Sequence, residues 1–159
     1  MEPRDFVKTG LAGAAVGLMS SSLVRAEDHQ HAHQDKKPLV MPVMSDELKK
    51  VAETAHACVN TATACIAECN PVLATGEGSM ADCQQAVLSM ISVCEATASN
   101  ARMHLVDEKL LRNLVEVCAE FCDYCADACE AHAEHYAECK NCMDSCNECA
   151  DACRVYLKA

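Results

Sequence analysis

Cys118, Cys122, Cys125 and Cys129 follow one another at steps of four, three and four residues. Cys139, Cys142, Cys146, Cys149 and Cys153 then step three, four, three and four. Five more thiols, Cys58, Cys65, Cys69, Cys83 and Cys94, are spread more thinly before them. Thiols in such number suit three kinds of chemistry: disulfide cross-linking, thiol redox exchange and the binding of a soft metal ion. Alternating steps of three and four keep side chains on one face of an α-helix. The reactive unit is therefore a file of sulfurs along helices.

The elements that must position this file are read from the rest of the chain. Its 159 residues suffice for one domain with one modest core. There are 14 Cys, 8 Met and 7 His, but no Trp, 3 Tyr and 2 Phe, so sulfur takes volume that aromatic side chains normally fill. A net charge of −11 argues against a nucleic-acid partner, because phosphate binding needs Lys and Arg.

Residues 1–26 read as an export signal. Arg4 and Lys8 precede a weakly apolar run from Leu11 to Met19, and Val24-Arg25-Ala26 suits a cleavage site. The run is too short to cross a membrane, so no membrane insertion is expected. The stretch "PRDFVK" is similar to a twin-arginine signal with Pro3 in place of the first arginine. The expected location is therefore exported and periplasmic. Residues 27–44 read as a polar, His- and Met-containing tail. After cleavage, Glu27-Asp28-His29 would begin the chain with a histidine at the third position, a pattern that wraps square-planar Cu(II).

Residues 45–159 form the expected domain, all-α, with four helices. The predicted spans are Ser45 to Asn70, ending before Pro71; Ser79 to Asn100, with Ser79 and Asp82 at capping-box spacing; Asp107 to His135; and Ala137 to Leu157. Each carries an apolar seam. The first is Leu48, Val51, Ala55, Cys58, Ala62, Cys65, Cys69. The second is Met80, Cys83, Val87, Met90, Cys94. The third is Leu111, Leu114, Cys118, Cys122, Cys125, Cys129, His132. The fourth is Cys139, Cys142, Cys146, Cys149, Cys153, Tyr156. Four such helices with short connections make an antiparallel four-helix bundle whose core is lined by cysteine.

Geometry then separates the chemistries. Residues three or four apart on a helix have Cβ atoms roughly 5–6 Å apart. A disulfide needs about 3.5–4.5 Å. Bridges would have to cross between helices, yet the last two helices hold nine cysteines and the first two only five. A disulfide-stabilised bundle is thus a weak alternative. A metal ion between two sulfurs makes up the missing distance. Zinc, or another soft metal held in an exported thiol buffer, is the stronger alternative. Zinc wants closed tetrahedra, which fit a continuous file of thiols poorly. Cu(I) prefers thiolates and thioethers. One Cu(I) per thiolate also cancels the buried charge, whereas Zn(II) held by four thiolates leaves two negative charges. Multiple Cu(I) ions per chain are expected.

Enzymatic readings fare worse. A di-iron oxidase needs two Glu-x-x-His motifs, and only Glu53-Thr54-Ala55-His56 is present. Cys122-Asp123-Tyr124-Cys125 falls in mid-helix, away from the helix start that activates a redox thiol. No enzyme is expected. Met90, on the second seam, is either packing or a thioether ligand. His132 and His135 are either packers at the helix junction or ligands.

The run "CAEFCDYCADACEAHAEHYAECKNCMDSCNECADAC", with the signal and the helical pattern, resembles the copper storage proteins, in particular the exported ones of methane-oxidising bacteria. The likeness covers roughly residues 45–157. It implies a homotetramer of four-helix bundles whose cores store many Cu(I) ions. It also implies copper supply to enzymes, among them a membrane methane monooxygenase. The family's entry mouth, lined by Met and His, corresponds to Met41, Met44 and His104; the other reading of these residues is an N-terminal segment packed over the bundle end. Ala55, Ala62, Val87 and Met90 depart from a full cysteine lining and imply sparser loading on that side.

Overall fold

The computed structural model describes residues 43–103 and 107–159. The expected signal, most of the tail, Met41 and His104 lie outside the described residues. Among the described residues there are four α-helices: α1 (Asp46–Ala74), α2 (Ala81–Met103), α3 (Glu108–Glu130) and α4 (Ala137–Lys158). Each packs against its neighbours in the ring α1–α2–α3–α4–α1. The antiparallel sense shows in single contacts. Arg102, at the end of α2, donates to the Ala52 carbonyl near the start of α1. The first-turn Glu138 amide of α4 donates to Glu68, near the end of α1, at 2.9 Å.

Local chemistry sets the helix ends. The Ser45 hydroxyl accepts from the Leu48 amide at 3.2 Å, and Asp46 and Glu47 add negative charge to the positive end of α1. Asp107 caps α3 by accepting from the Lys109 amide at 2.9 Å. Several boundaries differ from expectation, among them α2, which runs three residues past the expected Asn100 to Met103. Helix α1 runs through Pro71 to Ala74. Proline forfeits one hydrogen bond there, but Val72 and Leu73 pack against the core and hold the last turn. Gly76, at φ +86°, then reverses the chain. Helix α3 ends at Glu130 rather than His135, because Cys129 is its last buried seam residue; Ala131–His135 form turns, with the His132 amide on the Cys129 carbonyl at 2.9 Å. Ser79 is no helix cap either. It sits in a 3-10 turn, Gly78–Met80, and its hydroxyl donates to Glu77 at 2.8 Å.

The seams are buried as expected, with two changes: Val115, fully buried, takes the α3 position expected for Leu114, which is only half-buried, and His132, beyond the end of α3, is half-buried too. The core has two parts. Near the start of α1, it is closed by Leu48, Val51, Leu111, Val115 and Tyr156. The Arg112 guanidinium lies over the Tyr156 ring at 5.4 Å and donates to the Leu157 carbonyl. The rest of the core, toward the Gly76 turn, is dominated by sulfur, with small residues such as Ala62, Ala86 and Val87 between the thiols. Among the described residues, no helix is long and apolar enough to cross a membrane.

Candidate metal centre

All fourteen cysteines are free thiols with no solvent exposure. They point inward because cysteine behaves as a small hydrophobe and each lies on a seam between polar flanks. Their sulfurs form five groups in which every pair lies within 4.8 Å. Toward the Gly76 turn, Cys65, Cys69, Cys83 and Cys139 form a tetrad. Cys65 also belongs to a triad with Cys129 and Cys142, and Cys142 to another with Cys125 and Cys146. Toward the apolar plug, Cys58, Cys94, Cys122 and Cys149 form a second tetrad, and Cys149 also belongs to a triad with Cys118 and Cys153. Every cysteine of the chain is in a group, and Cys65, Cys142 and Cys149 are each shared by two.

The distances decide what such groups can do. The closest sulfurs are Cys83–Cys129 and Cys94–Cys122, each at 3.6 Å. Cys65–Cys139 follows at 3.7 Å, Cys94–Cys118 at 3.8 Å and Cys125–Cys142 at 3.9 Å. A disulfide bond is about 2.05 Å long, so none of these pairs is bonded. With metal–sulfur bonds of about 2.3 Å, three sulfurs around one ion lie roughly 4 Å apart. The thiols are therefore already near the separation that bridging metal ions require.

Electrostatics divides the thiols. Hydrogen bonds from Cys129 and Cys65 pull the Cys83 thiol down to about 3, and those from Cys122 and Cys153 help hold Cys118 at about 5. Burial pushes Cys139 up to about 12 and raises Cys69. Accepting S–H donors favours the thiolate and burial favours the neutral thiol; at Cys139 burial outweighs the hydrogen bond it accepts from Cys65. Cys58 has a further partner. It donates to the Ser145 carbonyl at 3.1 Å and accepts from the Ser145 hydroxyl at 3.6 Å. Ser145, one residue before Cys146, carries no sequence signal for this contact.

The remaining candidates are placed as follows. Met90 is fully buried, and no thiol donates to its sulfur among the described residues. Met44 is half-buried and packs against the core just before α1. His132 is half-buried and meets the Tyr136 ring edge to face at a centroid distance of 6.4 Å, while His135 is exposed. None of the thiol groups includes either histidine. His56, of the lone Glu-x-x-His motif, is exposed on α1.

Comparison with known proteins bears on the same residues. The family model of the copper storage proteins matches residues 44–158. No curated protein sequence matches the chain. Among solved structures, a cytosolic copper storage protein from Streptomyces lividans, carrying five coppers, is similar with a TM-score of 0.65 and 28% identity, over 71% of this chain and 93% of that one. The same organism's copper storage protein loaded with 10 copper equivalents gives 0.67 and 26%, over 78% and 94%. A form of it with two histidines replaced by alanine gives 0.64 and 27%, over 70% and 93%. These relatives overturn one expectation. The exported, periplasmic reading rested on Arg4 and Lys8, the apolar run from Leu11 to Met19 and the cleavage-like Val24-Arg25-Ala26, whereas the Streptomyces protein is described as cytosolic. The Cu(II) site expected at Glu27-Asp28-His29 lies outside the described residues. The bundle, its thiol lining and the family match over residues 44–158 lead to one conclusion: the chain belongs to the copper storage protein family.

Proposed function

We propose that this protein stores many Cu(I) ions in the core of its bundle, held by the fourteen cysteines, and that its role is storage and supply of copper to copper enzymes rather than catalysis. One observation carries the reading: all fourteen thiols are buried in five overlapping groups that share members. Shared sulfurs suit bridging Cu(I), which accepts two or three soft ligands. Charge favours it too, since one Cu(I) for each displaced proton leaves the interior neutral. The tetrads Cys58/Cys94/Cys122/Cys149 and Cys65/Cys69/Cys83/Cys139 support zinc as a second reading. Each tetrad, however, lends a cysteine to a neighbouring triad, and a Zn(II) tetrathiolate would leave two buried negative charges.

We further infer a homotetramer. Leu110, Leu114, Val117, Phe121 and Tyr124 form a second seam on the outer face of α3, at steps of four, three, four and three. Leu110 is 61% exposed and Tyr124 51%. A stripe of this kind suits packing against another helix.

Anaerobic Cu(I) titration of the reduced full-length protein against a strong competing chelator tests the storage reading. The expected capacity is on the order of one copper per cysteine. Saturation near four metals per chain, with Zn(II) bound more tightly, would establish the zinc reading instead.

A further inference from the structure

Cys58 differs from the other thiols in what its sulfur meets. Among the described residues, the side-chain hydrogen bonds of the others run only to sulfur. Cys58 instead meets two oxygens of one residue on α4, 87 positions away. Its S–H donates to the Ser145 carbonyl at 3.1 Å, and the Ser145 hydroxyl donates to its sulfur at 3.6 Å. Ser145 stands beside the α4 seam, half-buried, while Cys58 is fully buried. Cys58 belongs to the tetrad with Cys94, Cys122 and Cys149 and to no second group.

The two bonds act in opposite ways on a metal site. The carbonyl satisfies the neutral thiol, and once the proton has gone the same oxygen faces a negative sulfur and disfavours it. The hydroxyl is a donor in both states, and its bond to a thiolate is charge-assisted and stronger. We propose that Ser145 is the positioning residue of the copper site at Cys58, its hydroxyl holding the Cys58 thiolate once Cu(I) has taken the place of the proton. The inference rests on the storage reading and deepens it. In the exchange the S–H bond breaks, a Cu–S bond forms and the proton leaves to solvent. Metal draws the sulfur toward Cys94, Cys122 and Cys149 and away from the carbonyl. That carbonyl lies in mid-helix, where an amide one turn on remains its partner. The hydroxyl rotates to follow the sulfur. It also occupies one sulfur lone pair, which suits Cys58 as a terminal ligand, whereas Cys149, shared by two groups, is placed to bridge. Hydrogen bonds of this kind to a metal ligand are commonly worth about tenfold or more in metal affinity.

The test loads reduced, full-length protein anaerobically with Cu(I) and withdraws the metal with a competing chelator. Ser145→Ala should bind one Cu(I) about tenfold more weakly and release it faster, with the other sites unchanged. Ser145→Thr keeps the hydroxyl and should restore the wild-type affinity. In a Cys58→Ala background, Ser145→Ala should have no further effect, because the partner of the hydroxyl is gone. Circular dichroism checks that every variant keeps its helices. Unchanged Cu(I) affinity in Ser145→Ala overturns the proposal. So does a loss that Ser145→Thr fails to restore, or one that persists in full without Cys58, since Ser145 would then act through helix packing alone. If the wild-type protein takes up no Cu(I) beyond a single equivalent, the storage reading itself has failed, which is a distinguishable outcome.

Discussion

A single cysteine in this core has two properties that pull in opposite directions. It is fully buried, which favours the neutral thiol, and it lies within reach of several other sulfurs, which favours a thiolate at some positions. Cys139, pushed up to about 12 by burial, shows the first effect; Cys83, held at about 3 by its thiol neighbours, shows the second. Copper uptake must therefore displace protons from thiols such as Cys139. Metal and proton compete for the same lone pair, so the apparent Cu(I) affinity should fall as pH falls. For a site that gives up one proton, the expected loss is about tenfold per pH unit below 7. Competition titrations at several pH values, with proton release followed by a dye, would show it; affinity independent of pH, with no protons released, would contradict it. Replacing Cys118, Cys122, Cys125 and Cys129 together by Ala should lower capacity by about four coppers, because each thiolate contributes on the order of one metal. Total loss of binding with the helices intact would instead indicate one discrete cluster.

At the scale of the helix, α3 carries two seams. Its inner seam holds Cys118, Cys122, Cys125 and Cys129, and its outer seam runs from Leu110 to Tyr124. Replacing Leu110, Val117 and Tyr124 with Gln should convert the proposed tetramer to smaller species without changing copper capacity per chain. Light scattering on the eluting protein measures this, and an unchanged tetramer would rule out this face. The N-cap of α1 makes a separate prediction. Ser45→Ala removes the acceptor of the Leu48 amide, 3.2 Å away, and should cost about 1 kcal/mol in urea unfolding of the copper-free protein. No loss of stability would mean that water caps the helix equally well.

The whole bundle must stand before metal arrives. Its metal-free core already closes at one end on Leu48, Val51, Leu111, Val115 and Tyr156, and cysteine packs there like any small apolar residue. Ion pairs on the surface, Lys50–Glu148 at 2.5 Å and Arg154 with Asp123, tie α4 to α1 and to α3, though exposed pairs of this kind add little. The reduced, copper-free protein should therefore be as helical as the loaded one, while copper raises its unfolding temperature. A far-UV circular dichroism spectrum of a random coil for the metal-free form would refute this.

The sequence by itself determined which face of each helix turns inward, and hence that all fourteen thiols share one interior. Period is a local property: steps of three and four commit Cys58 or Cys146 to a seam whatever the partner helix is. Chain ends of elements were less legible. Pro71 reads as a stop, yet α1 continues because Val72 and Leu73 find the core, and that contact exists only once α1 has neighbours. Leu114 and Val115 are adjacent apolar residues, and only packing chose Val115 for the inside and left Leu114 on the outer seam. Tertiary structure alone decided which sulfurs meet. Cys65 faces Cys139 across 74 positions of sequence, and the Cys69 thiol donates to Met80. Those pairings depend on the axial offset and rotation of four rigid rods. Both are set by the sum of many side-chain contacts, which no single spacing encodes.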